Sequence, residues 1–122
     1  MSEIEKLCQK SYDKLESSKT LYEIGNYADC ASLAYYSMFL MAKSLLKKKG
    51  LDAKTHHGVI SLFSLKYVFE GTFNHRIYSN FAASQSVRED ADYSANDCIT
   101  QEIAEELISQ AEEFIIEAEK FL

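Results

Sequence analysis

The chain has no proline in its 122 residues, and its four glycines, Gly25, Gly50, Gly58 and Gly71, are spaced as punctuation. Proline breaks helices most strongly and glycine next, so such a sequence favours long helices that stop near the glycines. Ile4, Cys8, Ser11, Leu15, Ser18 and Tyr22 form one stripe, widened by Leu7, Tyr12 and Leu21. That spacing predicts an amphipathic helix of about six turns ending at Gly25. Asn26 supplies an N-cap side chain, with the first-turn acid Asp29 after it, and opens a second helix running to Gly50. From Cys30 to Ala42 this helix is apolar on nearly every face, as a central element touched on several sides would be. Small residues at Ala31, Ala34 and Ser37 leave room for a close neighbour.

A third helix is expected from Thr55 to Gly71, with Val59, Leu62, Phe63, Lys66 and Phe69 at helical spacing. A fourth, shorter one covers about Phe73 to Val87, and Ser94 to Cys98 reads as a loop. The last helix, capped near Thr100, aligns Ile103, Leu107, Ala111, Phe114, Ala118 and Phe121. Together these predict one all-α domain over residues 1–122, an antiparallel up-down bundle of four principal helices plus a shorter helix.

Cys8, Cys30 and Cys98 are odd in number and show no paired or metal-ligand spacing, which points to a reducing, cytoplasmic setting. The longest apolar run, Ala31 to Ala42, contains Ser32 and Ser37 and soon meets Lys43, so no membrane span is expected. The first residues include acids and lack a signal-peptide pattern. A net charge of −6 argues against a general nucleic-acid coating protein. The charge is unevenly placed, however. Lys43, Lys47, Lys48, Lys49 and Lys54 stand together with only Asp52 against them, followed by His56 and His57, whereas the last helix carries seven glutamates against Lys120. Charge runs of this kind are ordinarily solvated helix surface.

Three constellations could carry chemistry. Arg88 and Asp92, four apart, can pair on one helix face with Tyr93 beside them. Such a pair either pins a helix end or orients the guanidinium fork toward a phosphate. His56 and His57 stand at a helix start, where free N–H groups and the dipole favour an anion, although a histidine there can equally cap or pack. Neighbouring side chains on a helix diverge by about 100° and no acid lies one turn away, so no metal site is expected. The tyrosines and methionines of the second helix, Tyr27, Tyr35, Tyr36, Met38 and Met41, read mostly as core, although Tyr35 or Tyr36 could expose a hydroxyl to a groove or a dimer mate. No phosphate loop, activated nucleophile or catalytic acid pair is found, and no cofactor is called for.

From Gly25 the chain reads G-N-Y-A-D-C-A-S-L-A-Y-Y-S-M-F-L-M-A-K-S-L-L, then K-T-H-H-G-V-I-S-L-F, then R-E-D-A-D-Y, and closes with A-E-E-L-I-S-Q-A-E-E-F-I. In order and spacing this resembles the HEPN family (higher eukaryotes and prokaryotes nucleotide-binding domain), in its branch of small stand-alone proteins. That family shows G-x-Y, A-Y-Y-x-x-F, T-H-x-G, R-x-x-A-D-Y and an acidic terminal helix. The resemblance covers nearly the whole chain. It implies a helical bundle that dimerises and is often encoded beside a minimal nucleotidyltransferase, as a binding companion or as a toxin-like RNA-cleaving partner. His56 matches the T-H-x-G histidine. The family's ribonucleases carry Arg, four to six residues, then His. Here Arg88 has Tyr93, Ser94 and Ala95 at the required places, and Arg76 has Phe81, Ala82 and Ala83.

Three functions are therefore expected in order. The first is a dimeric, non-catalytic module that engages a nucleotidyltransferase and a nucleotide or RNA through Lys54, His56, Arg88, Asp92 and Tyr93. The second is an RNA endonuclease in which the non-contiguous pair Arg88 and His56 does the chemistry. The third is a structural or interaction protein with no small ligand. Convergence of Arg88, His56 and the lysine-rich end of the second helix is the expectation on which the site depends.

Overall fold

Each of the five α-helices among the described residues starts at a residue whose side chain accepts a hydrogen bond from one of the first unpaired backbone N–H groups. Ser2 caps α1 (Glu3–Glu23) in a reciprocal box with Glu5, and Asn26 caps α2 (Tyr27–Lys48). Thr55 caps α3 (His56–Phe63), Asn74 caps α4 (His75–Tyr93) and Thr100 caps α5 (Gln101–Glu119). Gly25 and Gly50, at φ 81° and 73°, take the left-handed conformation that ends α1 and α2. The computed structural model describes residues 1–95 and 98–122. Of the expected loop Ser94 to Cys98, Asn96 and Asp97 thus lie outside the described residues.

Direction follows from side-chain contacts. The Ser11 hydroxyl donates to the Ser37 carbonyl and that of Ser18 to the Cys30 carbonyl, both at 2.7 Å, so α1 and α2 are antiparallel and closely packed. Tyr12 to Glu119 (3.0 Å) and Lys19 to Glu112 (3.3 Å) set α1 antiparallel to α5. Arg76 to Glu113 (2.8 Å) and the Asn74 N–H to Glu117 (2.9 Å) do the same for α4 and α5. Helices α1 and α4 therefore run one way and α2 and α5 the other, which is the expected up-down bundle. Helix α2 touches each of the other four, and its all-round apolar character is used within one chain. Tyr35, Met38, Met41, Leu45 and Leu46 of α2 meet Phe63, Phe81 and Phe114 in one core.

Three expectations are corrected. Helix α4 runs on to Tyr93, as long as α5 at 19 residues, and the shorter helix is α3. The expected third helix also changes character at Ser64: residues Ser64–Phe69 form a π-helical turn, closed by the Glu70 N–H to the Leu65 carbonyl at 2.9 Å. Its wider turn shifts the phase of the stripe. Tyr67 is turned inward, donating its hydroxyl proton to the Leu45 carbonyl, while Phe69 is 85 % exposed. Gly71 follows of necessity, since a Cβ there would stand 2.7 Å from the Tyr67 carbonyl oxygen. Lastly, the acids of α5 are more than a solvated face. Glu105, Glu112, Glu113 and Glu119 tie it to α1 and α4, and buried Glu117 caps α4.

Candidate functional site

One face of α2 carries a row of side chains at helical spacing, Tyr35, Tyr36, Phe39 and Lys43, and the rest of the site is built against it. Tyr35 is fully buried, its ring stacked towards Phe81 at 6.0 Å and His56 at 5.8 Å. Tyr36 meets His56 edge-on at 5.6 Å. Phe39 stacks on His56 at 4.2 Å, and the Lys43 ammonium lies 5.9 Å from the Phe39 ring.

His56 reaches this row because the chain doubles back after α2. Lys47 pairs with Asp52 at 3.0 Å, and the loop then returns along α2 so that α3 starts beside Phe39. Arg88 reaches it because α4 extends past Val87. Its guanidinium carbon sits 5.3 Å from the Tyr35 ring and 5.5 Å from that of Tyr36, within cation–π range of both.

The protons of this cluster can be assigned from its contacts. Burial pushes the Tyr35 hydroxyl above its ordinary pKa, with the Arg88 charge acting against the rise, so the phenol keeps its proton. Its oxygen lies 2.8 Å from His56 Nδ1. Desolvation, then Arg88 and Lys43, hold the His56 pKa below its usual value, with Glu89 opposing, so the imidazole is neutral at pH 7. The Arg88 guanidinium, which can only donate, faces the Tyr35 oxygen, so that oxygen accepts there and its own proton is assigned to the contact with Nδ1. The imidazole proton is thereby assigned to Nε2.

Arg88 is 6 % exposed. Its ion-pair partner among the described residues is Asp92, at 3.5 Å, and its Nε is buried without a hydrogen-bond partner. That leaves at least this donor unspent, while the rest of the fork faces Asp92 and the Tyr35 oxygen.

The expected convergence is met in part. Arg88, His56 and Lys43 share one cluster, together with Asp92. Lys47, Lys48 and Lys49 do not join it: they go to Glu3 and Asp52, to the Phe121 carbonyl and to the Tyr67 ring. Lys54 and His57 are exposed at the start of α3. Tyr93 is 78 % exposed and lies beyond Arg88 on a shallow depression that Glu89, Asp90 and Ser94 complete. Among the described residues no group of three or more His, Cys, Asp or Glu side chains gathers about a metal position. Residue patterns alone placed Tyr35, Tyr36 and Phe39 in the core. The signal that could have found them is the pair of tyrosines itself, since a buried phenol hydroxyl needs a hydrogen-bond partner.

Comparison with known proteins places this geometry in a family. The sequence profile of the HEPN domain matches residues 4–121. The Methanocaldococcus jannaschii protein named "Putative toxin MJ0605" is 39 % identical, over 98 % of this chain and 89 % of its own. A second protein of that organism, "Putative toxin MJ0142", is 32 % identical over 98 % of this chain and 82 % of its own. An Archaeoglobus fulgidus UPF0332 protein is 31 % identical over 97 % of this chain and 94 % of its own. The crystal structure of TT1696 from Thermus thermophilus superposes over the full length of both chains with a TM-score of 0.86 at 15 % identity, and so shares the fold. By its profile match, its relatives and its bundle, this chain belongs to the HEPN domain family.

Proposed function

We propose that this HEPN protein is a binding module that holds a phosphate of a nucleotide or RNA between Arg88, His56 and Lys43, and that it works as a homodimer beside a minimal nucleotidyltransferase. The observation that carries the reading is the buried guanidinium of Arg88, whose Nε has no hydrogen-bond partner, close to a histidine held neutral by desolvation and the neighbouring cations. A phosphate oxygen arriving there meets charge-assisted donors already held in place by two tyrosine rings. On its other side Arg88 borders the depression with Glu89 and Asp90, whose carboxylates repel an anion. On the His56 side Arg88 and Lys43 outweigh the one carboxylate that also reaches the ring, Glu89, and the phosphate is placed there.

The dimer and the enzyme partner rest on family membership. Most of the apolar breadth of α2 is covered by the other helices, with Leu33, Tyr36 and Leu40 left partly exposed. Sedimentation equilibrium tests the dimer: a monomer from micromolar to millimolar concentration would remove it.

Calorimetric titration with mononucleotides and short single-stranded RNA tests the binding reading. Wild-type protein should bind, and Arg88→Ala should bind at least tenfold more weakly while its circular dichroism stays helical. Equal affinity of the two proteins would refute the site.

A second reading, RNA cleavage by Arg88 and His56, is favoured by the toxin names of two relatives and by the pairing of these residues across the sequence. Against it stands the state of His56. With Nδ1 occupied by Tyr35 and the ring neutral, Nε2 is a hydrogen-bond donor and a poor acid or base. RNA cutting that both Arg88→Ala and His56→Ala abolish would establish this reading over the first.

A further inference from the structure

Helices α1 and α2 leave a groove of about 490 Å³ on the far side of Tyr36, lined by Lys10, Asp13, Lys14 and Ser17 from α1 and by Leu33, Tyr36 and Leu40 from α2. Its volume falls within the range of small-molecule pockets, and one wall is apolar. Tyr36 belongs to both places, because it also lies 5.5 Å from the Arg88 guanidinium and edge-on to His56. A ligand held by its phosphate at Arg88 is therefore next to this groove.

The charges on the rim point the same way. Lys19, further along α1, is paired with Glu112, but Lys10 and Lys14 have no ion-pair partner among the described residues. Asp13 is engaged by the Gln9 amide at 3.0 Å. Counting the Asp13 carboxylate, Lys10 and Lys14 leave the rim beside the apolar wall with one positive charge in excess, in a chain of net charge −6. Alternation of a flat apolar platform with cations is the arrangement by which proteins hold single-stranded nucleic acid, the base against the platform and the flanking phosphates on the cations.

We infer that the α1–α2 groove is the base subsite of a single-stranded RNA track. In this track Arg88 and His56 hold one phosphate, Tyr36 and Leu40 flank the next base, and Lys10 and Lys14 take the phosphate that follows. The inference rests on the phosphate reading above and extends it from one phosphate to an oligonucleotide.

The test is fluorescence anisotropy with a labelled single-stranded RNA hexamer, and calorimetry with a mononucleotide, on wild type, Arg88→Ala and Lys10→Glu/Lys14→Glu. Both lysines are exposed, so the double variant should keep the fold. It should bind the hexamer at least tenfold more weakly, lower the salt slope of log K by about 0.7 for the one lost phosphate contact, and bind the mononucleotide as wild type does. Hexamer affinity and salt slope equal to wild type, with Arg88→Ala still weakened, would overturn the groove and spare the phosphate site. Insensitivity of both ligands to Arg88→Ala would overturn the phosphate site itself. If the double variant instead shifts sedimentation from dimer to monomer, the groove is an interface between copies of this chain and the RNA assignment falls.

Discussion

The Tyr35 hydroxyl donates its proton to His56 Nδ1 across 2.8 Å, joining the centre of α2 to the first residue of α3. This contact decides which face of the imidazole a ligand meets, and it turns a residue that looks like core packing into a determinant of the site. Because the Arg88 guanidinium faces the phenol oxygen as a donor, the arrangement assigned to this neutral pair is the Tyr35 O–H on Nδ1 and the imidazole proton on Nε2.

Tyr35→Phe should therefore leave the bundle folded and release the tautomer. Nitrogen-15 NMR of the wild type is expected to show His56 neutral and protonated on Nε2, and the variant a mixture of both tautomers. The orphaned Nδ1 should cost about 1–2 kcal/mol in chemical denaturation, as a buried acceptor without its partner does. Identical histidine spectra in the two proteins would refute the assignment.

His56 also gives the fold a pH dependence whose sign follows from its depressed pKa. The unfolded chain takes up a proton near the ordinary histidine value of about 6.5, while the folded chain, with Arg88 and Lys43 facing the ring and only Glu89 opposing them, resists until lower pH. Between those values the unfolded state binds more protons, so stability rises with pH. The contribution is complete above the unfolded pKa and is lost as pH falls through the folded one. Urea midpoints measured from pH 8 to pH 5 should fall for wild type and fall less steeply for His56→Asn; parallel curves would show that another group is responsible.

Phe63 is the packing counterpart. Its ring is fully buried and lies within 6.3 Å of the rings of Tyr67, Phe73, Phe81 and Phe114. Phe63→Ala is expected to cost about 3–5 kcal/mol in reversible denaturation, from lost transfer energy plus the cavity left behind. A loss under about 1 kcal/mol would mean that the π-helical segment repacks into the space.

The bundle was legible in the sequence because its signals are local. Absent prolines, glycine stops at Gly25 and Gly50 and the N-caps Asn26, Thr55 and Thr100 each act on their own turn. What stayed hidden depends on three-dimensional phase. Nothing in S-L-K-Y-V-F announces a π turn, so Phe69 was expected inside and Tyr67 was not singled out. Arg88 and His56 could be named, but their meeting required the return of the loop after Gly50 along α2. Tyr35 was read as core, and core it is. Its second role exists because His56 arrives beside its hydroxyl.

The remaining question is whether Arg88 serves a ligand or only pins the end of α4, and Asp92 separates the two. Arg88→Ala alone is ambiguous, because it also removes a buried side chain from between Tyr35 and Tyr36 and opens a gap there. Asp92→Asn keeps the guanidinium in place and removes its charged partner, which stands 3.5 Å away on a side chain 25 % exposed. Asparagine can still accept from the fork across this long contact, so the loss of stability should stay at about 1 kcal/mol although Arg88 is buried. If Arg88 binds phosphate, freeing it from a competing carboxylate should leave nucleotide or RNA affinity unchanged or raise it a few-fold. Arg88→Lys should lose most of that affinity, since an ammonium keeps the charge without the fork. The opposite pattern, Asp92→Asn strongly destabilising and Arg88→Lys harmless to binding, would make the pair a structural pin and leave His56 and Lys43 without the centre of their site.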